Sequence, residues 1–156
     1  MRLTWDRRSV GPEWGPRSIA FARFTRRGAW PLFRLWRMNP DGSEAVLLTR
    51  GRVSTAYYGF LPIAWSDDGH RLLAALVSEF YDRPYAVDPL TGAARPLGSG
   101  EKLYLTEGLS RDGRLALVTV VAPSDEPVND RVEILPYQGG PSRVVARGSR
   151  SPDWNK

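Results

Sequence analysis

The stretch IAWSDDGHRLLAAL, residues 63–76, decides the fold of this chain. Two apolar segments flank a polar Ser-Asp-Asp-Gly sequence, and each segment has the length of one β-strand. The Asp-Gly pair suits a tight hairpin, because glycine adopts the positive φ that such turns require. The stretch is therefore a lone hairpin or one unit of a repeating array, and the rest of the chain decides which.

The same pattern recurs along the chain. GPEWGPRSIAF (residues 11–21) and TEGLSRDGRLALV (106–118) align with it, and SRSPDWN near the end begins a fourth copy. The aligned positions are Trp14, Trp65, Leu109 and Trp154. Each of the first three copies continues to a second turn, which reads NPDGS, DPLTG or PYQGG. A period of about 45 residues with four strands per unit is typical of β-propeller blades.

The composition agrees with an all-β fold. The 156 residues include 13 prolines and 15 glycines, which fit many turns, and no segment sustains a helical period. The sequence predicts an array of four-stranded antiparallel blades, about three of them complete, in a single partial propeller over residues 1–156. The predicted repeats are approximately residues 5–49, 50–98 and 99–146, with 147–156 starting a further blade.

These units resemble the TolB-like, or WD40-like (PD40), β-propeller repeats. The repeat pattern of that family resembles Pro-x-Trp-Ser-Pro-Asp-Gly, an apolar strand, then Asn-x-Asp-Gly and Leu-Thr. WSDDGHRLLAA (65–75) carries the first half, and RMNPDGSEAVLLT (37–49) carries the second. WGPRSIAF lacks the Asp-Gly pair, and Leu109 replaces the tryptophan of the third unit. The resemblance implies a non-catalytic, extracytoplasmic scaffold that binds a protein or peptide.

The tryptophans and the paired aspartates have structural interpretations. A large ring at the end of a first strand fills the space between neighbouring blades, so we expect Trp14, Trp65 and Trp154 to pack there rather than stack on a ligand. Asp67 and Asp68 resemble a catalytic carboxylate pair, but their place in a turn explains both.

Catalytic and metal-binding patterns are missing from the sequence. The chain has no cysteine, which excludes disulfides and thiol catalysis, and no Gly-x-Ser-x-Gly motif. Its one histidine, His70, follows a hairpin glycine, where we expect a solvated turn residue. The acidic segment PSDEPVND (123–130) lacks EF-hand spacing, so we expect a solvated loop rather than a calcium site. We predict no catalytic residue, no metal and no cofactor.

The candidate binding surface is the face of the longer loops. In a four-stranded blade, the loop between the second and third strands shares a face with the connection to the next blade. Aromatic and arginine side chains, which interaction hot spots favour, concentrate in those segments. The predicted partner-binding residues are Arg26, Arg27, Trp30, Arg52, Tyr57, Tyr58, Phe80, Tyr81, Arg83 and Tyr104. The alternative for each aromatic residue is a ring that packs beneath its own loop.

Three classes of function remain, in order of preference. The first is the binding scaffold. The second is the gating propeller of a prolyl-oligopeptidase-like serine peptidase whose hydrolase domain lies outside this sequence. The third is polyanion binding, because residues 1–52 carry +7 and the remainder −2 within a net charge of +5. Arginines on the solvent side of strands explain that asymmetry better, so we do not expect nucleic acid as a partner.

The last expectations concern membrane spans, a secretory signal and the two ends of the predicted array. No run of eighteen apolar residues is present, and residues 1–10 lack the apolar core of a secretory signal. MRLT and SPDWN resemble parts of neighbouring blades. Three blades are too few to close a ring, so we expect either a longer chain or a second copy to complete it. We also expect exposed apolar flanks that make the chain dimeric or prone to aggregate.

Overall fold

The fold consists of β-strands throughout the part of the chain that is described. The computed structural model describes residues 8–27, 30–50, 54, 56–122, 130–148 and 152, without the side chains of residues 26, 27 and 30. The twelve strands in these ranges are β1 (Ser9–Trp14), β2 (Ile19–Arg27), β3 (Trp30–Met38), β4 (Val46–Leu47), β5 (Gly59–Trp65), β6 (Leu72–Val77), β7 (Asp82–Val87), β8 (Ala94–Pro96), β9 (Leu103–Leu109), β10 (Leu115–Val121), β11 (Arg131–Pro136) and β12 (Arg143–Arg147). The predicted all-β class is confirmed.

The strands pair in three consecutive groups of four. We call β1–β4 the first unit, β5–β8 the second and β9–β12 the third. Within each unit every strand pairs antiparallel with the next. A parallel bridge between Phe33 and Gly59 joins the first two units, and an antiparallel bridge between Asp82 and Tyr104 joins the last two. The described strands thus form one open mixed sheet, and the repeat limits given above stay predictions.

The main apolar clusters lie between neighbouring units. Ala20 and Leu35 of the first unit pack with Phe60, Leu72 and Ala74 of the second. On the other side of β6, Leu73 joins a second cluster that contains residues of the third unit. Successive residues of a strand point to opposite faces, so each middle strand contributes to the packing on both of its sides.

The middle strands on the outer flanks of the array are apolar but not exposed. Ile19 and Phe21 alternate with Ala20 and therefore face away from the second unit, yet they are 0% and 1% exposed. The guanidinium group of Arg23 lies 4.5 Å from the Trp36 ring centre on that side, so its stem covers apolar surface. On the far side of the third unit, Leu117, Val132 and Ile134 are also buried. The expectation of exposed apolar flanks is wrong for these residues.

The aligned tryptophans differ in their surroundings. The Trp65 indole N–H donates to the Glu13 carbonyl at 3.0 Å, and its ring lies so close to Gly15 that a side chain at position 15 would collide with it. Trp65 therefore packs against the preceding unit, as expected. Trp14 is 59% exposed, which contradicts its expected packing role. The reason is geometric: no unit precedes the first among the described residues. Trp154 lies outside the described residues.

The first hairpin turns of the second and third units use the same hydrogen bonds. Asp68 accepts from the Ser66 hydroxyl at 2.6 Å and from the His70 amide at 2.9 Å. In the third unit, Asp112 accepts from the Ser110 hydroxyl at 2.7 Å and from the amide two residues ahead at 3.0 Å. The interpretation of Asp68 as a turn residue is confirmed. Asp67 is exposed in the same turn.

Candidate functional site

Four of the predicted residues on the long-loop face have no described side chain. Arg26 and Arg27 end β2 and pair through the backbone with Pro31 and Trp30 of β3. This pairing puts them at the tip of the β2–β3 hairpin, where the sequence placed them. Arg52 lies outside the described residues. Their role in binding therefore stays a prediction.

The β6–β7 loop presents an exposed aromatic pair. Phe80 is 70% exposed, and its ring centre lies 6.2 Å from that of the half-buried Tyr81. Ser78 closes the loop, because its hydroxyl donates to the Tyr81 carbonyl at 2.6 Å and accepts from the Tyr81 amide at 3.2 Å. The backbone that carries the two rings is thus fixed at both ends of the loop.

Arg83 and Tyr57 stand beside this pair. The Arg83 guanidinium carbon lies 5.9 Å from the centre of the Tyr57 ring, within cation–π range, and one of its nitrogens donates to the Gly100 carbonyl at 2.7 Å. Tyr57 is half-buried against the core of the second unit. We call Tyr57, Phe80, Tyr81 and Arg83 the loop-face cluster. It combines a rigid cation with aromatic rings of graded exposure.

The other two predicted tyrosines, Tyr58 and Tyr104, differ in how far their side chains are buried. The Tyr58 carbonyl accepts from the Phe33 amide at 2.6 Å, and its amide donates to the Val77 carbonyl at 2.7 Å, so its backbone links the first two units. Its side chain is half-buried. Tyr104 is only 1% exposed, and its hydroxyl accepts from the Ser99 amide at 2.8 Å. A partner cannot contact Tyr104, because its ring fills the space beneath the loop before β9.

The sequence reasoning did not single out Glu133, a buried carboxylate in the third unit. Glu133 is 1% exposed and accepts from the Lys102 ammonium group at 2.9 Å and from the Arg131 guanidinium group at 2.7 Å. Burial raises its pKa, but hydrogen bonds from Ser142, Lys102 and Arg131 outweigh burial and hold the pKa below its ordinary value. The one available signal was a charge inside the apolar strand sequence RVEILP.

A second missed carboxylate lies at the junction of the second and third units. Asp82 accepts hydrogen bonds from the hydroxyl group and, at 3.1 Å, from the amide of Thr106. Burial raises the pKa of Asp82, and these hydrogen bonds only partly oppose it. Asp82 begins β7 and Thr106 lies in β9, so the carboxylate joins two units rather than facing a ligand.

The histidine and the acidic side chains of the described residues are the groups that bear on catalysis and metal binding. His70 is exposed, and its Nε2 lies 3.4 Å from a guanidinium nitrogen of Arg17. No group of three histidine, aspartate or glutamate side chains that could hold a metal ion occurs in the described ranges. In those same ranges there is no helix with the length and apolar character of a membrane span. The segment 123–130, which we expected to be a solvated loop rather than a calcium site, lies outside them except for Asp130.

Comparison with known proteins identifies the fold. The chain is similar to TolB from Acinetobacter baumannii, with a TM-score of 0.57 and 15% identity over 88% of this chain and 32% of that one. It is similar to a putative TolB from Agrobacterium tumefaciens, with a TM-score of 0.58 and 16% identity over 81% of this chain and 42% of that one. No protein-family model and no curated protein matches the sequence. The resemblance to TolB-like propellers is confirmed as a resemblance of fold.

An enzyme shares the same fold. An oligogalacturonate lyase in complex with manganese has a TM-score of 0.55 and 18% identity, over 89% of this chain and 35% of that one. A structure of prolyl endopeptidases has a TM-score of 0.35 and 11% identity, over 88% of this chain and 28% of that one, and the peptidase alternative stays a prediction. The chain spans less than half the length of each of these structures.

Proposed function

We propose that this chain is a non-catalytic propeller scaffold that binds a protein or peptide through its long-loop face. The observation that supports the proposal most is the loop-face cluster, and within it the exposed ring of Phe80. When a partner covers an exposed aromatic ring, apolar surface is removed from water, and this stabilises the complex. Tyrosine, phenylalanine and arginine are also enriched in the buried centres of interfaces.

The surroundings of Phe80 make the cluster a good anchor. Ser78 fixes the loop, and the Gly100 carbonyl fixes Arg83, so few side-chain rotations are lost when a partner binds. Tyr57 and Tyr81 are already half-buried, and the Tyr81 ring lies beside the exposed ring of Phe80. A partner segment with an apolar side chain and an acidic group would contact the rings and Arg83 together.

The proposal extends to architecture and compartment. The three units of four antiparallel strands are the expected composition of three consecutive blades in a larger ring. The similarity to TolB structures supports an extracytoplasmic place for the protein. Both statements go with the scaffold role and have no bearing on which partner binds.

Site-specific crosslinking tests the scaffold proposal. A photoreactive phenylalanine analogue replaces Phe80 in one variant and Val46 in a control, in cells that contain the natural partners. Val46 serves as the control because it is 40% exposed on β4, away from the loop-face cluster. We expect a specific protein adduct from position 80 and none from position 46. The captured partner is then purified, and Phe80→Ala should weaken its binding about tenfold or more, as loss of a hot-spot ring does.

Equal adducts from both positions, or equal affinities for Phe80→Ala and Val46→Ala, would contradict binding through the loop face. The non-catalytic part has its own test. The purified chain is incubated with oligogalacturonate and Mn²⁺, and unsaturated product is followed by ultraviolet absorbance. We expect the rate of the blank, since the described residues hold no metal cluster. A rate above the blank that disappears in a His70→Gln variant would make the chain an enzyme.

A further inference from the structure

A groove lies between the second and third units on the face opposite the loop-face cluster. It is formed by the β5–β6 and β7–β8 turns of the second unit and by the β11–β12 turn of the third. Its volume is about 430 Å³, and its polar lining residues are His70, Arg71, Asp88, Arg95, Tyr137 and Gln138. This size lies within the range of small-ligand and peptide side-chain sites, roughly 300–1,000 Å³.

Two arginines in the lining are held by backbone carbonyls. Arg71 donates to the Asp112 carbonyl at 2.7 Å, and its guanidinium carbon lies 5.9 Å from the Tyr137 ring centre. Arg95 donates to the Tyr137 carbonyl. Gly139 lets Arg95 approach, because a β-carbon there would lie 3.2 Å from its guanidinium nitrogen. A guanidinium group has five N–H donors, so one bond to a neutral carbonyl fixes its position and keeps its charge.

Tyr137 gives the groove a rigid wall. It is 7% exposed, and its hydroxyl oxygen lies 3.1 Å from the Leu72 carbonyl and 3.0 Å from the Val87 carbonyl, which share its one proton. Burial raises the pKa of Tyr137, so the hydroxyl stays protonated at neutral pH. A third-unit residue is thereby tied to two strands of the second unit. Arg71 and Arg95 both lie in the second unit and donate to carbonyls of the third, so this contact also holds their acceptors in place.

The charge of the lining selects the ligand. The amides of Leu90 and Thr91 hold the pKa of Asp88 below its ordinary value, so this carboxylate is ionised. Two arginines and one aspartate contribute a net charge of about +1 to the lining. That charge matches a monoanion better than the dianion of a phosphate group. A planar carboxylate also fits the donor fork of arginine.

We propose that this groove binds a peptide carboxylate, with Arg71 and Arg95 as its donors. The carboxylate comes from a free C-terminus or from an acidic side chain. The site is independent of the proposed scaffold role, since it uses none of the loop-face residues. It gives the propeller a second binding surface on its tight-turn face.

The single histidine of the chain makes the test site-specific. His70 lines the groove, so its ring-proton NMR resonances report on binding there without assignment of any other residue. Three capped tripeptides are titrated to tens of millimolar: acetyl-trialanine with a free C-terminus, its amidated form, and an amidated form with a central glutamate. We expect saturable shifts with at least one of the two carboxylate peptides, and the pair identifies the source. The neutral peptide should cause none.

Charge-matched variants separate the groove from general attraction to a basic protein. Arg95→Gln should weaken binding about tenfold, the effect of losing one charged hydrogen bond. Arg143→Gln removes the same charge on the exposed strand β12 and should leave the affinity unchanged within about twofold. Arg95→Lys keeps the charge and replaces the glutamine variant if that variant does not fold. It should still weaken binding, because lysine lacks the two parallel N–H donors of the guanidinium group.

Three results would overturn the proposal. The first is equal weakening by Arg95→Gln and Arg143→Gln. The second is equal shifts from the neutral and the carboxylate peptides, or no shift at all. The third is tighter binding of inorganic phosphate than of either carboxylate peptide in the same titration, which would assign the groove to a different anion.

Discussion

At the scale of single residues, equivalent positions in the repeat differ in burial, because only some of them have a preceding unit to pack against. Trp65 and Trp14 both end a first strand, but only Trp65 has a described unit on the side to which its ring points. Leu109, at the same position of the third unit, is 7% exposed in a cluster with Leu73 of the second. The residue at this position therefore packs against the preceding unit.

The two tryptophans form a matched pair for a stability measurement. Trp65→Ala removes a ring packed on Gly15 and a hydrogen bond to Glu13, so we expect a loss of about 3 kcal/mol in the free energy of unfolding. Trp14→Ala should cost less than about 0.5 kcal/mol, as exposed substitutions do. Urea denaturation of both variants measures the difference. Similar losses would mean that the ring of Trp14 is covered in solution.

Glu133 provides a pH-dependent prediction. Its folded pKa lies below its ordinary value of 4.5, so its stabilising effect is fully present above pH 4.5 and is lost as the pH falls through the folded value. Glu133→Gln should cost about 2 kcal/mol at pH 7, because two cations lose a charged acceptor. The difference from wild type should shrink by pH 3. Unfolding free energies at both pH values check this.

The exposed neighbour Glu101 supplies the control for that measurement. Glu101→Gln should change the free energy of unfolding by less than about 0.5 kcal/mol at pH 7. A loss for Glu133→Gln that is the same at pH 7 and pH 3 would show that its charge does not stabilise the fold.

At the scale of elements, the first hairpin turns contact one another as well as closing their own strands. The Asp67 amide donates to the Arg111 carbonyl at 2.8 Å, and Arg71 donates to the next carbonyl along the same turn. Gly113 makes this contact possible, because a β-carbon there would lie 2.7 Å from that of Ser66. The turn motif thus fixes the distance between units.

Two glycines with similar φ angles separate the effect of the left-handed backbone conformation from the effect of crowding between the turns. Gly113 has φ +69° and is crowded, whereas Gly11 has φ +56° and no atom within 4 Å of an added β-carbon. Gly11→Ala should cost only the left-handed conformation, about 1–2 kcal/mol. Gly113→Ala adds overpacking and should cost about 1–3 kcal/mol more. Thermal unfolding measures the midpoints of both variants. Equal midpoints would contradict the contact between the two turns.

At the scale of the whole molecule, the units are joined by apolar clusters and by single polar contacts. Tyr137 bonds two strands of the neighbouring unit, and Asp82 bonds Thr106 across the same junction. The large apolar side chains that are exposed in the described ranges include two on each end strand of the sheet, Val10 and Trp14 on β1 and Val144 and Val145 on β12. Two such side chains at each end are fewer than the continuous area of about 800 Å² per partner that a stable dimer requires.

We therefore expect the 156-residue chain to be a monomer at micromolar concentration. This reverses the expectation of dimers or aggregates, because that expectation required the flanks around Phe21 and Ile134 to be exposed. The terminal strand β12 is exposed along its length, but Arg143 and Arg147 at its ends disfavour edge-to-edge pairing. Light scattering should give 17.5 kDa. A concentration-dependent mass near twice that value would restore self-association as a function.

The candidate site was only partly predictable. The sequence placed Phe80 and Arg83 in a loop on the binding face, since loop length and composition are local properties. It also placed Tyr104 there, because sequence shows which loop a ring belongs to but not whether the ring lies above or beneath it. The groove with Arg71 and Arg95 had no signal, because its walls come from turns far apart in the sequence.

The sequence by itself determined the β-class, the recurring turns and the four-strand unit of this protein. These follow from alternation of apolar residues and from Asp-Gly turns, which act over a few neighbouring residues. Only the tertiary structure decided that Trp14 is exposed while Trp65 is packed, that Phe21 and Ile134 are covered, and that Glu133 is buried between two cations. Burial and charge pairing depend on segments distant in the chain, and no local pattern of residues encodes how those segments meet.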